Sequence, residues 1–201
     1  MPGFAIRKPF PRTRGWRNVQ PPETRWARIG PKNPVTLFHT PDAGICLSAF
    51  VVAHRGRTVL LGRPRAGPAW PQKGGYPEAQ ARELEDEGAW LVPATHLIVE
   101  ESPDHAALRI ARDFAGLPGV PRFVMVQSHL RPARLWNPKW KGNHWDVCFV
   151  YDLAARALPK RKPWWAEWRF VAPDALRSLK VGRGQRDILE EAGYLRRPQS
   201  R

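Results

Sequence analysis

Apolar positions fall in short, separated runs along the chain. Ile45 to His54 (ICLSAFVVAH) is β-branched and apolar, Arg55-Gly56-Arg57 reads as a turn, and Thr58 to Leu61 (TVLL) resumes the strand character. That pattern predicts a hairpin. Residues 62–77 form a loop dense in Pro and Gly. Pro77 to Gly88 (PEAQARELEDEG) has Pro near its start, strong helix formers inside and Gly at its end, so a short polar helix is expected there. After Trp90, Ser102 supplies a helix N-cap, Pro103 the first helical position and Asp104 a first-turn acid. Ala106, Ala107, Ile110, Ala111 and Phe114 recur at helical spacing, and Gly116 closes the element. Strands are predicted over Arg122–His129, His144–Asp152 and Trp168–Val171, and helices over Pro173–Leu179 and Gln185–Ala192. Strands and helices mix without strict alternation and without internal repeats, which predicts an α+β sandwich in one domain.

Composition narrows the class. The chain has 201 residues, 42% of them apolar, enough for one domain with a sizeable core. No apolar run approaches the roughly eighteen residues of a membrane span, so no membrane partner is expected. The first thirty residues are rich in Arg and poor in acids, but their prolines argue against an amphipathic transit helix. A soluble, cytoplasmic protein is expected. Cys46 and Cys148 both sit in strand-like runs and read as buried free thiols, since two cysteines make neither a disulfide framework nor a zinc site.

Charge changes the picture more. The net charge is +15, which favours phosphate-rich partners. Residues 1–34 carry +7, residues 64–117 carry −4 and residues 156–201 carry +7, so an acidic centre lies between basic ends. Residues 1–34 read as an extended arm of Pro, Arg and Trp, in which Trp16 and Trp26 either stack on bases beside Arg or pack on the domain. Residues 196–201 form a short basic tail. The loop RPARLWNPKWKGNHW, with Lys139, Lys141, His144 and Trp145, interleaves cations and aromatics, as does Lys160-Arg161-Lys162 before Trp164 and Trp165. Such interleaving suits a nucleotide or a single strand, while the alternative is Trp covering a core edge with Lys and Arg solubilising it. His96, His105, His129 and His144 each read as structural or surface residues before metal ligands, and no phosphate-binding Gly-Lys loop or nucleophile elbow is present.

The stretch Trp90 to Leu117 (WLVPATHLIVEESPDHAALRIARDFAGL) resembles the box of the Nudix superfamily, G-x5-E-x7-R-E-U-x-E-E-x-G-U with U aliphatic. Trp90 and Pro93 resemble its Trp-x-x-Pro lead-in, Glu101 and Arg109 match the E-x7-R step, and Gly116-Leu117 match the closing G-U. The resemblance implies a Nudix-like fold, an α/β/α sandwich around a mixed sheet, over residues 35–195. It also implies a divalent metal, magnesium or manganese, held by the box glutamates if the protein is active. The departures lie in those glutamates, which are here Ile110, Asp113 and Phe114. By resemblance the site would keep Glu101, Arg109 and Asp113 as catalytic residues and Glu100, Glu101 and Asp113 as metal ligands. Lys139, Lys141, His144 and Trp145 are the expected ligand-binding residues.

A rival box, Arg82-Glu83-Leu84-Glu85-Asp86-Glu87 after Trp70 and Gly74-Gly75, matches R-E-U-x-E-E better. However, it leaves six residues between Gly75 and Arg82 where the family has thirteen, and it puts an extra helix before the next strands. Residues 64–89 are therefore read as an insertion, with Glu83, Asp86 or Glu87 able to fold over the site and replace lost ligands. Two functions follow. One is a degenerate Nudix-fold protein that binds a nucleotide, a nucleic acid or a protein partner without ordinary hydrolase activity. The other is a divergent magnesium-dependent pyrophosphohydrolase of nucleoside-diphosphate-linked substrates. Oligomeric state is not readable from the sequence.

Overall fold

β1 (Ile45–Arg55) is the central strand of the fold, and its residues from Ser48 to Ala53 are buried on both sides. An unbroken apolar strand of this kind needs a covering layer on each face. The computed structural model describes residues 44–132 and 141–195; the basic arm, the segment containing Lys139 and the tail lie outside the described residues. The described residues belong to one compact unit.

β1 turns at Gly56-Arg57 into β2 (Thr58–Pro64), with Arg55 opposite Thr58. Gly56 takes a φ of 58°, which a residue without Cβ adopts freely in a two-residue turn. The six-stranded sheet has the order β4 (Arg122–Pro132), β5 (Asn143–Ala154), β1, β2, β6 (Trp165–Val171), with β3 (Ala94–His96) also paired to β1. The β1–β5 pair is parallel and the others are antiparallel, so the sheet is mixed. β2 holds β1 only at the hairpin end, His54↔Val59 and Arg55↔Thr58. The freed edge of β1 is taken by β3, from Ser48↔His96 to Phe50↔Ala94. That split delivers the loop after β3 to one end of the sheet.

One face is covered by α3 (Pro103–Arg109) and the π-helical segment that continues it, Ile110–Ala115. Ala106, Ala107 and Ile110 pack there with Ala49, Val51 and Ala53. The opposite face is covered by α5 (Arg186–Glu191), whose Ile188 and Leu189 pack with Val52, Val59, Leu61 and Val150. The result is the expected α/β/α sandwich. Residues 64–89 contribute α1 (Trp70–Lys73) and α2 (Glu78–Asp86), and α4 (Pro173–Leu176) follows β6. Among the described residues, no helix is long and apolar enough to cross a membrane.

The predicted caps of α3 are present. Ser102 Oγ accepts from the His105 amide at 3.2 Å, Pro103 opens the helix, and Gly116 ends it at a φ of 76°. The expected strand at Trp168 begins earlier, at Trp165, and the expected helix over 173–179 ends at Leu176. Three features were not expected: α1, with Pro71 in its first turn where a missing N–H costs nothing, β3, and the π turn. The indole N–H groups of Trp164 and Trp165 both donate to Phe114 O, at 2.8 and 2.9 Å, and so occupy a carbonyl at the end of the π segment. Cys148 is buried and Cys46 half-buried, and both thiols are free.

Candidate functional site

The loop from β3 to α3 is held by one ion pair. Arg109 Nε and Nη2 donate to the two carboxylate oxygens of Glu101, each at 2.7 Å. Arg109 Nη2 also donates to His96 O at 3.0 Å, and Glu101 Oε2 accepts from the Ile98 amide at 3.0 Å. The fork-on-carboxylate geometry ties both ends of the loop to the helix. Hydrogen bonds from Arg109 hold the Glu101 carboxyl below the usual carboxylate range, with burial opposing and the Ile98 amide assisting. Glu100 beside it is exposed and adopts a φ of 67°, a left-handed conformation uncommon outside glycine. Asp113 is exposed on the outer side of the π segment, whereas Ile110 and Phe114 are buried.

These positions do not suit a magnesium or manganese ion. A hard divalent cation requires several oxygen ligands converging on one point. Among the described residues, no three or more His, Cys, Asp or Glu side chains come together in that way. The oxygens of Glu101 are already engaged by Arg109. Phe114, where the resemblance would place a carboxylate, lies in an aromatic cluster. Its ring centroid is 5.5 Å from Trp70 edge-on, 5.0 Å from Trp165, and 6.3 Å from Trp164 at an interplanar angle of 10°. Trp70 in turn lies 4.9 Å from Tyr76. Residues 64–89 therefore add aromatic rings to the face of the helix that the resemblance assigns to metal.

A cleft of about 520 Å³ opens beside Phe114, between the starts of β1 and β5, β3 and the insertion. A second cavity of about 310 Å³ adjoins it, sharing Phe50, Gln80, Asp146, Arg183 and Gln185. Among the described residues, five buried side-chain polar atoms have no hydrogen-bond partner. Four of them line these two cavities: Asp146 Oδ1, Gln127 Oε1, His129 Nε2 and Tyr76 Oη, the last with the Arg183 guanidinium beside it. His129 Nε2 lies 3.5 Å from Asp187 Oδ2 without hydrogen-bond geometry. A buried polar group left unpaired costs on the order of 1–3 kcal/mol, and Gln127 Oε1 and Asp146 Oδ1 are the two here with no charged group of opposite sign set against them in this space.

The cleft walls are set by backbone constraints. Gly75 has a φ of 75°, and a Cβ there would lie 3.0 Å from both His96 Nδ1 and Thr95 Oγ1. His96 Nδ1 makes a 3.0 Å hydrogen bond with Gly75 O, which assigns the ring proton to Nδ1. Burial, followed by the Arg183 charge, lowers the His96 pKa and favours the neutral ring. Arg183 has a φ of 55° and sets its guanidinium 4.3 Å from the Tyr76 ring centroid. Glu83 reaches the cleft from α2. Burial raises the Cys46 and Cys148 thiols, so neither is a poised thiolate.

Of the expected ligand-binding residues, His144 is buried and lines the cleft, Lys141 is exposed, and Lys139 lies outside the described residues. Trp145 does not line the cleft; its indole donates to Ser128 Oγ at 2.7 Å. Asp146, Gln127, Tyr76 and Arg183 were not anticipated. Two signals for them stand in the sequence: a carboxylate inside the apolar run HWDVCFVY, and an arginine between Gly182 and Gly184.

No family model and no curated protein matches the sequence. The fold does match solved structures. A MutT protein from Methanosarcina mazei Go1 is 16% identical, with a TM-score of 0.52 over 77% of this chain and 94% of that one. A MutT Nudix hydrolase from Burkholderia pseudomallei is 16% identical, with a TM-score of 0.50 over 73% of this chain and 96% of that one. The ORF135 protein of E. coli is 15% identical, with a TM-score of 0.50 over 78% and 95%. The chain has the Nudix fold.

Proposed function

We propose that this Nudix-fold chain binds a nucleotide in the joined cleft and is not an ordinary metal-dependent pyrophosphohydrolase. The carrying observation is Phe114, buried among Trp70, Trp164 and Trp165 where the resemblance calls for a metal-binding carboxylate. The cleft chemistry supports the ligand class. Asp146 Oδ1 and Gln127 Oε1 are unpartnered acceptors suited to the N–H edge of a base. Arg183 supplies a cation for phosphate. Phe50 and Tyr76 add apolar and aromatic surface.

Titration calorimetry with nucleoside mono-, di- and triphosphates, run beside phosphate-release assays in magnesium and manganese, tests the proposal. Binding without turnover is the expected result. Asp146→Asn should weaken it by about tenfold, the equivalent of roughly 1.4 kcal/mol for one charged hydrogen bond. The hydrolase reading is kept by Glu83, an acid that lines the cleft from α2. Metal-dependent turnover abolished by Glu101→Gln or Asp113→Asn would overturn the binding-only reading and establish Glu100, Glu101 and Asp113 as the ligand set to pursue.

A further inference from the structure

Outside the cleft, at the far end of the π segment, a second surface has a different chemistry. Lys160 N donates to Gly116 O at 2.9 Å, so the loop before β6 is fixed to the end of the box helix. A Cβ at Gly116 would stand 2.5 Å from Lys160 O, and this contact leaves room only for glycine. The loop carries Lys160, Arg161 and Lys162 between Pro159 and Pro163, and no acid occurs from Arg156 to Trp165. Lys160 and Arg161 are exposed and Lys162 is half-buried. Among the described residues, none of the three forms an ion pair, nor does exposed Lys73 of α1.

Trp164 sits among these cations. Its indole N–H is taken by Phe114 O and one face lies parallel to Phe114, so the ring is fixed in place yet only half-buried. Lys73 Nζ and Lys162 Nζ each lie 5.9 Å from its centroid, approaching from two separate parts of the chain. A rigid aromatic platform flanked by unpaired ammonium groups suits a ligand that alternates phosphates with flat rings. An anionic membrane would need the charge and apolar side chains to insert, and Leu158 is the exposed large apolar residue of this loop.

We propose that Lys73, Lys160, Arg161, Lys162 and Trp164 form a sequence-tolerant binding surface for single-stranded nucleic acid, separate from the nucleotide cleft.

Fluorescence anisotropy of the full chain with labelled 20-nucleotide oligo(U) and oligo(dT) tests this, from low to physiological salt. Inorganic polyphosphate and phosphatidylserine vesicles serve as base-free polyanions. The variant K160A/R161A/K162A changes only side chains that make no ion pair. It should raise Kd by about tenfold or more and lower the salt slope by about two, at roughly 0.7 per neutralised phosphate in a single strand. Ultraviolet crosslinking should place oligo(U) on Trp164, and Trp164→Phe should retain more affinity than Trp164→Leu at matched thermal stability. Three results would overturn the proposal: unchanged Kd and slope in the triple variant, equal affinity for oligonucleotide and polyphosphate, or preferential vesicle binding.

Discussion

Glu101 shows how one residue can satisfy a motif and yet be occupied elsewhere. Its carboxylate takes two 2.7 Å bonds from Arg109 and one from the Ile98 amide, and its side chain is 13% exposed. Truncating a charged hydrogen-bond partner in such a place costs on the order of 2 kcal/mol. Glu101→Gln should therefore lower stability at neutral pH by about that amount, as read by urea denaturation. The pH dependence has a definite sign. The folded carboxyl titrates below its unfolded value of about 4.3. Its contribution is therefore present above that value and is lost as pH falls through the lower, folded pKa. Acid unfolding of Glu101→Gln should show a shallower loss in that window, and an unchanged acid limb would show that the pair does not act on stability. Phe114 gives the complementary case. Phe114→Glu restores the carboxylate of the box but buries it among three indoles, so it should destabilise by about 3 kcal/mol or more and yield no magnesium-dependent turnover.

At the scale of elements, residues 64–89 bear most on the helix over Pro103–Ala115. α1 exists to place Trp70, which is fully buried, donates its indole N–H to Arg65 O and contacts Phe114, Tyr76 and Trp165. Trp70→Ala should cost about 3–5 kcal/mol, a typical range for deleting a large buried aromatic. Because Phe114 and Tyr76 lose the same neighbour, the variant should also weaken nucleotide binding, whereas Arg82→Ala on the exposed side of α2 should change stability by less than about 1 kcal/mol. Comparing chemical denaturation and ligand titration for the two variants checks this. Local signals were legible in the sequence: Gly56 at the hairpin, Ser102 and Pro103 at the start of α3, Gly116 at its end, and the Glu101–Arg109 spacing. The cleft was not. Tyr76, Gln127, Asp146 and Arg183 come from four separated parts of the chain, and no periodicity relates residues that only the folded sheet brings together. The π turn was equally hidden, since the two tryptophans donating to Phe114 O lie fifty and fifty-one residues away.

For the whole molecule, the net charge of +15 acts on folding and binding together. Like charges repel most in the compact state, and this self-repulsion is screened over about 10 Å at 0.1 M salt. Exposed pairs such as Arg82–Glu78 and Lys180–Glu87 contribute little, so their weakening by salt is the smaller effect. The melting temperature should therefore rise as sodium chloride goes from about 10 mM to 150 mM, a range over which the Debye length shortens from about 30 Å to about 8 Å. A polyanion that binds only the folded chain adds stabilisation by mass action on top of that screening. Single-stranded oligonucleotide, at matched ionic strength, should thus raise the melting temperature beyond the chloride effect. In K160A/R161A/K162A the chloride response should persist while the oligonucleotide increment shrinks, because three charges are a minor part of the total but the centre of the Trp164 surface. If both responses fall together, the increment is bulk electrostatics and owes nothing to that surface.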